Sequence, residues 1–371
     1  MEFSAKLRDW LQVEAFNDWR AIQSALLQNE TAGYFGWTGY GNLGDEAVFD
    51  ACKLLFKGQS VKPIRIHQPS LILERLTGRS PSLKFVALGG GTLINQSSIW
   101  LKETSYIVSK NIPMFCIGTG VAQEDSLDKP AGSDNQMLHE WVELLKRFEY
   151  AGVRGPLSQR YLSDAGLNVE VVGDTALALA PKKYKKRKIG KTIGINVSFG
   201  ADKVMYGGQD TYIKNMREIV SWLLTEGFVV KILPIWKGDL EASKALYKGS
   251  ELSSCQLIKA YKSVGEYMAQ LEQCDLFVGQ KLHATILATT LRIPSLMLEY
   301  RPKCLDYMQS MDMQDYSIRT DKINLNIFRD KLGLLISKQA ELSSTLDQRV
   351  LYYRDLQHKR AKNIRVALNI N

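Results

Sequence analysis

The sequence predicts an α/β protein made of two Rossmann-like, doubly wound domains that face each other across a cleft. Three observations lead to this prediction. The chain has 371 residues, which is too long for one ordinary hydrophobic core. Short apolar runs alternate with amphipathic stretches, as strands and helices do around a parallel sheet. The alternation stops at a basic segment, 182–191, and then restarts.

The first half is predicted to contain an N-terminal helical segment, 1–31, and an N-terminal Rossmann-like domain, 32–181. The expected strands are 32–37, 61–67, 83–91, 112–118, 149–153 and 168–174. The expected helices are 45–56, 70–77, 100–110, 136–148 and 156–165. The last helix has Pro156 in its first turn and Gly166 past its end, the positions that favour a helix start and stop.

The second half is predicted to follow the basic linker 182–191 as a C-terminal Rossmann-like domain, 192–323. The expected strands are 192–198, 228–235, 256–261, 275–279 and 294–300, and the expected helices are 211–227, 264–274 and 283–291. Residues 324–371 are expected to form a helical tail. Two such domains would direct the carboxyl ends of their strands towards the cleft between them.

The net charge of +9 is compatible with nucleic acid, an anionic membrane face or acidic substrates as partners. The excess is partly local, since seven basic residues lie in 182–191. Aromatic residues are not interleaved with the basic runs as stacking on bases would require, so no nucleic-acid partner is expected. The tail segment 345–368 has two interpretations. Its spacing favours a helix that packs across both domains, and the alternative is peripheral contact with an anionic inner membrane face.

The cysteines and the N-terminus indicate a cytoplasmic protein. The five cysteines are scattered, odd in number and without CxxC spacing, which predicts neither a disulfide framework nor a metal site. The N-terminus lacks the apolar core of a signal peptide. No uninterrupted apolar stretch approaches the length of a membrane span.

A first glycine loop, "GYGNLGDEA", carries a GxGxxG pattern between a strand and a helix. The next strand ends in "IRIHQPS", without the acid that a dinucleotide ribose requires, so no cofactor is predicted. The loop can still approach a ligand through Gly41, Gly44 and the helix N-terminus. Asn42 is either a turn residue or a ligand contact, and Asp45 and Glu46 either stabilise the helix dipole or bind and activate a sugar hydroxyl.

Two further segments combine polar or small residues with a strand end. The glycines of "GGGTLIN", including Gly90 and Gly91, mark either close approach of a ligand to the backbone or a tight turn. In "GQKLHATILATTLRIP", Lys281 and His283 lie where an apolar strand gives way to an apolar helix. Such a pair can hold an anion and move a proton, although a buried packing role is the alternative.

The ordered set "GYFGW…GNLGDEA", "VALGGGTLIN", "AGVRGPLSQRYL", "VVGDTAL" and "GQKLHATILATTLRIPSLMLEYRPK" resembles the polysaccharide pyruvyl transferase family over residues 32–303. The resemblance implies a GT-B-like fold. It also implies transfer of pyruvate as a ketal from phosphoenolpyruvate to a sugar of a cell-surface polysaccharide or its lipid-linked precursor, with release of phosphate.

The resemblance also implies a donor site. The arginine of the family falls on Arg154, and its Arg-x-His pair falls on Lys281 and His283, with lysine in place of the usual arginine. Tyr300 and Lys303 match its tyrosine and lysine. The cations would bind the phosphate and carboxylate of the donor, and His283 would donate a proton.

Three alternatives stay open at this point. Arg154 could pair with Asp164 or Asp174 instead of a ligand. A GT-B glycosyltransferase that uses a nucleotide sugar would share the cleft and the glycine loops. A non-catalytic binding protein could use the net charge alone.

Overall fold

The computed structural model describes residues 31–64, 83–94, 98–122, 136–183, 190–199, 205–247, 256–257 and 261–370. Within these residues, two parallel six-stranded sheets form the framework. The predicted helix at 70–77, and all but the last residue of the predicted segment 1–31, lie outside the described residues.

The first sheet has the strand order β2-β1-β3-β4-β5-β6, and each neighbouring pair is parallel. Its strands are β1 (Thr31–Phe35), β2 (Val61–Pro63), β3 (Leu83–Leu88), β4 (Met114–Thr119), β5 (Tyr150–Val153) and β6 (Glu170–Val171). The helices described between them are α1 (Leu43–Leu55), α2 (Ser98–Ser109), α3 (Gln136–Leu145) and α4 (Pro156–Asp164). The order reverses between β1 and β3, so the loops after these strands diverge and leave a crevice.

The second sheet has the order β12-β11-β10-β7-β8-β9 and is also parallel. Its strands are β7 (Thr192–Asn196), β8 (Val229–Ile232), β9 (Gln256–Leu257), β10 (Leu276–Gly279), β11 (Ser295–Glu299) and β12 (Ser317–Arg319). The helices described here are α5 (Gln209–Thr225), α6 (Asp239–Tyr247), α7 (Val264–Leu271), α8 (Leu282–Thr290) and α9 (Pro302–Ser310). This order reverses between β7 and β10, which leaves a second crevice.

The central strands are apolar without alternation because helices cover both faces of each sheet. Every residue of β4, β10 and β11 is buried. The helix α1 places Ala47, Ala51 and Leu55 on one buried face, four residues apart. These features confirm the predicted α/β fold with two doubly wound sheets, whereas the predicted domain boundaries remain a prediction.

Five elements in the described part of the chain were not expected from the sequence: α6, α9, β12 and two 3₁₀ helices, Thr175–Leu179 and Gln314–Tyr316. The helix α6 was missed because part of its buried face consists of small residues, Ala242 and Ser243. The strand predicted at 168–174 is shortened to β6. Gly173 turns the chain there with φ of +73°, and Asp174 then caps the 3₁₀ helix.

The tail forms two helices, α10 (Leu325–Ser337) and α11 (Gln339–Ala367), and the second of them contacts both halves of the protein. Arg292 Nε in the second half lies 3.1 Å from Asp347 Oδ1 of α11. Further along α11, Gln357 Nε2 donates to the backbone carbonyls of Val172 and Asp174 in the first half, at 2.9 and 2.8 Å. The helix therefore packs across both halves, which is the interpretation that its spacing favoured.

Half of the basic residues in 345–368 are used for contacts within the protein. Arg349 pairs with Asp312, Arg354 donates to the carbonyl of Ala180, and Arg360 binds Glu170 through two hydrogen bonds. Lys359 and Lys362 remain exposed. No helix in the described ranges is both long and apolar enough to cross a membrane. Peripheral membrane contact through this helix stays a prediction.

The two hydrogen bonds that Gln357 donates to the first half generate a prediction about stability. Gln357→Leu keeps the side-chain volume but removes the buried donor from two carbonyls, so the free energy of unfolding should fall by about 1–3 kcal/mol. Urea unfolding followed by circular dichroism measures the change. Lys362→Ala, at an exposed position of the same helix, is the control and should change stability by less than about 0.5 kcal/mol. Equal stability of the two variants would contradict a stabilising role for these hydrogen bonds.

Candidate active site

A cavity of about 490 Å³ lies where the two crevices meet. Its walls come from loops that follow β1, β3 and β4 in the first sheet and β8, β10 and β11 in the second. Of the residues predicted for the site, those that line it are Asn42, Asp45, Gly90, Gly91, Lys281, His283, Tyr300 and Lys303. Four predicted residues lie outside the cavity lining: Gly41, Gly44, Glu46 and Arg154.

His283 lies in the first turn of α8 and is 9% exposed. Two carboxylates of the first half flank its ring. Nδ1 is 3.8 Å from Asp45 Oδ1, and Nε2 is 3.7 Å from Asp174 Oδ2. Asp45 lines the cavity, whereas Asp174 is fully buried behind it. The ring therefore stands between one carboxylate that a ligand can reach and one that it cannot.

Asp174 holds its position through its second oxygen. Oδ1 accepts a hydrogen bond from the amide of Ala176 at 3.0 Å, which caps the 3₁₀ helix. Burial acts to raise the pKa of Asp174, but contact with His283 and the charge of Arg154 outweigh burial, and the pKa lies below its ordinary value. Asp174 is therefore an anion that faces the imidazole.

For Asp45, the effect of burial on the pKa outweighs the effect of the nearby positive charges. Burial raises its pKa, and the nearby His283 and Lys303 only partly oppose the rise. Asn42 fixes the carboxylate by donating from Nδ2 to Oδ2 at 2.6 Å, while its own Oδ1 caps α1 by accepting from the Gly44 amide. Asn42 is thus both a helix cap and a residue of the cavity wall. A carboxylate with a raised pKa is suited to accept a proton from a ligand hydroxyl.

Gly44 allows the two halves to meet. A Cβ at this position would overlap the Cβ of His283 and come within 2.6 Å of its Nδ1. Only glycine lets the start of α1 lie this close to the start of α8. The predicted role of Gly44 in ligand approach is replaced in the structure by this contact between the halves.

Lys281 is held by the second half. Its amide donates to Asn196 Oδ1 at 2.9 Å, and its ammonium lies 3.9 Å from Asp239 Oδ1 and 4.8 Å from the centre of the Trp236 ring. Asp239 is fully buried, and burial raises its pKa although Lys281 opposes the rise. These contacts hold the ammonium group of Lys281 at the cavity wall.

Lys303 brings a second ammonium to the cavity, in the first turn of α9. It lies 5.0 Å from the centre of the Tyr300 ring, and no carboxylate in the described part of the chain pairs with it. Burial, together with the charges of Arg301 and Arg154, lowers its pKa to about 8. Burial also raises the pKa of Tyr300 to about 12, so its hydroxyl stays protonated.

Arg154 lies behind the cavity wall and is fully buried. It pairs with Asp306, with Nε and one terminal nitrogen 3.3 and 3.2 Å from Oδ2. Its other terminal nitrogen donates to the Gly91 carbonyl at 3.4 Å. The two carboxylates considered as its partners, Asp164 and Asp174, are not its ion-pair partners here, because α9 brings Asp306 against the start of α4.

Glu46 and Gly41 support the first glycine loop. Glu46 Oε1 accepts a hydrogen bond from the amide of Gly39, so this carboxylate closes the loop instead of lining the cavity. Gly41 has φ of +71°, which is a left-handed conformation that favours glycine. In the second glycine loop, Gly91 has φ of +83°, which is also the left-handed conformation.

The cavity thus presents an imidazole held between carboxylates, two ammonium groups and the N-terminus of α8. Such a set can bind a small anion and deliver a proton to it. Among the described residues, no group of three or more His, Cys, Asp and Glu side chains is arranged to hold a metal ion.

The family model for polysaccharide pyruvyl transferases matches residues 42–302, more than two thirds of the chain. The chain belongs to this family. The family expected from the sequence is thereby confirmed, and the protein is a transferase. A comparison of its sequence with curated proteins gives no match.

Solved structures similar to this transferase confirm its GT-B-like fold. The S. aureus protein MnaA in complex with UDP aligns with a TM-score of 0.57 and 13% identity, over 92% of this chain and 98% of MnaA. CalG4, the calicheamicin glycosyltransferase, aligns with a TM-score of 0.52 and 13% identity, over 92% and 99% of the two chains. At this level of identity the likeness concerns the fold alone.

Sequence reasoning missed three kinds of residue in the transferase site. Asp239 and Asp306 were not singled out, although Asp239 follows a strand end and carries a detectable signal for that reason. Asp306 lies inside a helix and gave no signal. Trp37, Trp100 and Tyr161 line the cavity, and nothing in their spacing distinguishes them from core aromatics.

The contact at Gly44 generates a prediction for the transferase. Gly44→Ala places a methyl group against His283 and should lower the free energy of unfolding by about 1–3 kcal/mol through overpacking. Gly333→Ala is the matched control. A Cβ there has no atom within 4 Å and the position is helical, so stability should stay equal or rise by about 0.5–1 kcal/mol. Urea unfolding compares the two, and a neutral Gly44→Ala variant would exclude the close approach.

Proposed function

We propose that this transferase moves pyruvate from phosphoenolpyruvate to a sugar as a ketal, with release of phosphate. The acceptor sugar would belong to a cell-surface polysaccharide or to its precursor. The observation that supports the proposal best is the position of His283, between Asp45 and Asp174 in a cavity that also contains Lys281 and Lys303. Membership of the family supports the same reaction class.

The donor fits the positive side of this cavity. Phosphoenolpyruvate carries a phosphate and a carboxylate, about three negative charges near neutral pH. Lys281 and Lys303 would bind these anionic groups, assisted by the amides in the first turn of α8. Lysine in place of the family's arginine keeps the charge at position 281 but offers no bidentate fork. The contact of Lys281 with Asp239 would compensate in part by fixing the ammonium.

Arg154 would act on the donor from behind the wall. A direct contact, as the resemblance implies, requires its guanidinium to leave Asp306, to which it is bound in this structure. Its charge lies close enough to lower the pKa of Lys303, so it also contributes to the field in the cavity.

The proton transfer follows from the orientation of the imidazole. Asp174 is buried and faces Nε2, so Nδ1 is the nitrogen on the side of the cavity. His283 would donate a proton to the methylene carbon of the enol, which leaves positive character on the carbon that carries the phosphate. Asp174 would act as a positioning residue that stabilises the charged ring.

The acceptor would supply two hydroxyl groups. The first attacks the positively polarised carbon, and the second displaces phosphate from it and closes the ketal. One hydroxyl proton replaces the proton that His283 gave up, and the other leaves with the phosphate. Asp45, with its raised pKa and its place in the wall, would accept a hydroxyl proton and pass it to Nδ1.

The direct test is mass spectrometry of glycans after incubation with phosphoenolpyruvate, together with an assay for released phosphate. We expect one glycan to gain the mass of a pyruvate ketal with one phosphate released per ketal. His283→Gln should lower turnover at saturating donor by about 100-fold or more, since general acid catalysis contributes that much.

Two results would contradict the proposal. One is a His283→Gln variant that keeps most of its turnover. The other is stabilisation against heat by sugar nucleotides and none by phosphoenolpyruvate, which would favour a glycosyltransferase.

Lys303 generates a prediction about pH. Its pKa of about 8 means that the ammonium is present below this pH and is lost above it. The KM for phosphoenolpyruvate should therefore be lowest below pH 8 and rise as the pH passes through 8, because a neutral amine attracts the anion less. Lys303→Arg remains charged in this range, so its KM should be nearly flat up to about pH 9.5. The same rise in Lys303→Arg would assign the pH dependence to another group.

A further inference from the structure

The aromatic side chain of Trp37 borders the same cavity on the side of the first sheet. It follows β1 directly, at the crevice between β1 and β3. The indole is 43% exposed and stacks on Tyr40, with 4.2 Å between ring centres and 18° between ring planes. Stacking on Tyr40 covers one face of the indole and fixes the orientation of its ring plane at the edge of the cavity.

The second half of the protein holds these stacked rings in place. Trp236 Nε1 donates to the carbonyl of Tyr40 at 3.3 Å, and the amide of Leu43 donates to the carbonyl of Ile235 at 3.1 Å. The loop that carries the stacked rings is therefore fixed at both of its ends, by β1 and by the contact across the cleft. A rigid aromatic surface loses little conformational entropy when a ligand covers it.

The cavity is chemically divided. The basic residues of the lining, Lys281, Arg301 and Lys303, belong to the second half, which also contributes Tyr300. The first half contributes Trp37, Trp100 and Tyr161. The phosphate and carboxylate of an anionic donor gain nothing from an aromatic face. A sugar ring suits it, because a pyranose has an apolar face of C–H groups and an edge of hydroxyls.

We infer that Trp37, supported by Tyr40, is the surface on which the acceptor pyranose stacks. Asn42 and Asp45 line the same wall and would receive the hydroxyls of that ring. This inference rests on the proposed function for the identity of the ligand as an acceptor. The stacking itself can be measured without any transfer reaction.

The test is saturation-transfer NMR with methyl β-D-galactopyranoside, methyl β-D-glucopyranoside and methyl α-D-mannopyranoside, each with phosphoenolpyruvate present. At least one sugar should receive saturation from the wild-type protein. Trp37→Ala should raise the Kd of that sugar about tenfold, which corresponds to about 1.4 kcal/mol, and the signal at a sugar concentration below the Kd should fall accordingly. Trp37→Phe should retain most of the signal because it keeps a flat ring.

Tyr352→Ala is the matched control, since Tyr352 is 55% exposed on α11 and does not line the cavity. It should leave the signal unchanged. For any sugar that is also converted, Trp37→Ala should raise the acceptor KM and leave the donor KM within about twofold.

The inference is overturned if none of the three sugars is saturated by the wild type, or if Trp37→Ala keeps the wild-type signal. The proposed function fails in a different way. In that case no ketal forms from phosphoenolpyruvate, while the sugar signal still depends on Trp37. The two failures are therefore distinguishable.

Discussion

The contact between Gly44 and His283 is the interaction on which the site depends. Without a Cβ at Gly44, the start of α1 lies directly against the imidazole at the start of α8. This approach brings Asp45 of the first half to one ring nitrogen, while Asp174, from the same half, faces the other. The geometry of the candidate site therefore depends on both halves and on neither alone, because the ring and its two carboxylates come from opposite sides of the cleft.

Two cations in or behind the cavity wall are paired with carboxylates. Arg154 is matched by Asp306 and Lys281 by Asp239, which is what burial of charged groups requires. Lys303 has no carboxylate within ion-pair distance among the described residues, and burial lowers its pKa. A half-buried ammonium without a fixed counter-ion is suited to an anion that arrives and leaves, whereas a permanently paired cation is not.

The long helix α11 supports this arrangement from outside the cavity. It binds the second half through Asp347 and the first half through Gln357, whose amide is bonded to the carbonyl of Asp174. The tail therefore holds the backbone of Asp174, the residue whose carboxylate faces the imidazole. This contact gives the tail a structural role that does not depend on any membrane.

The sequence by itself determined the alternation of strands and helices, since burial of strands on both faces is a local pattern that short segments carry. It also located Lys281 and His283, because their place at a strand end is visible in a few residues. Only the tertiary structure decided which charges meet. Arg154 and Asp306 are 152 residues apart, and their pairing depends on which strand ends and helices face each other across the cleft. The spacing between two residues in the chain does not encode their distance in space. The pairing of Arg154 with Asp306, and of Asp174 with His283, therefore became visible only in the folded protein.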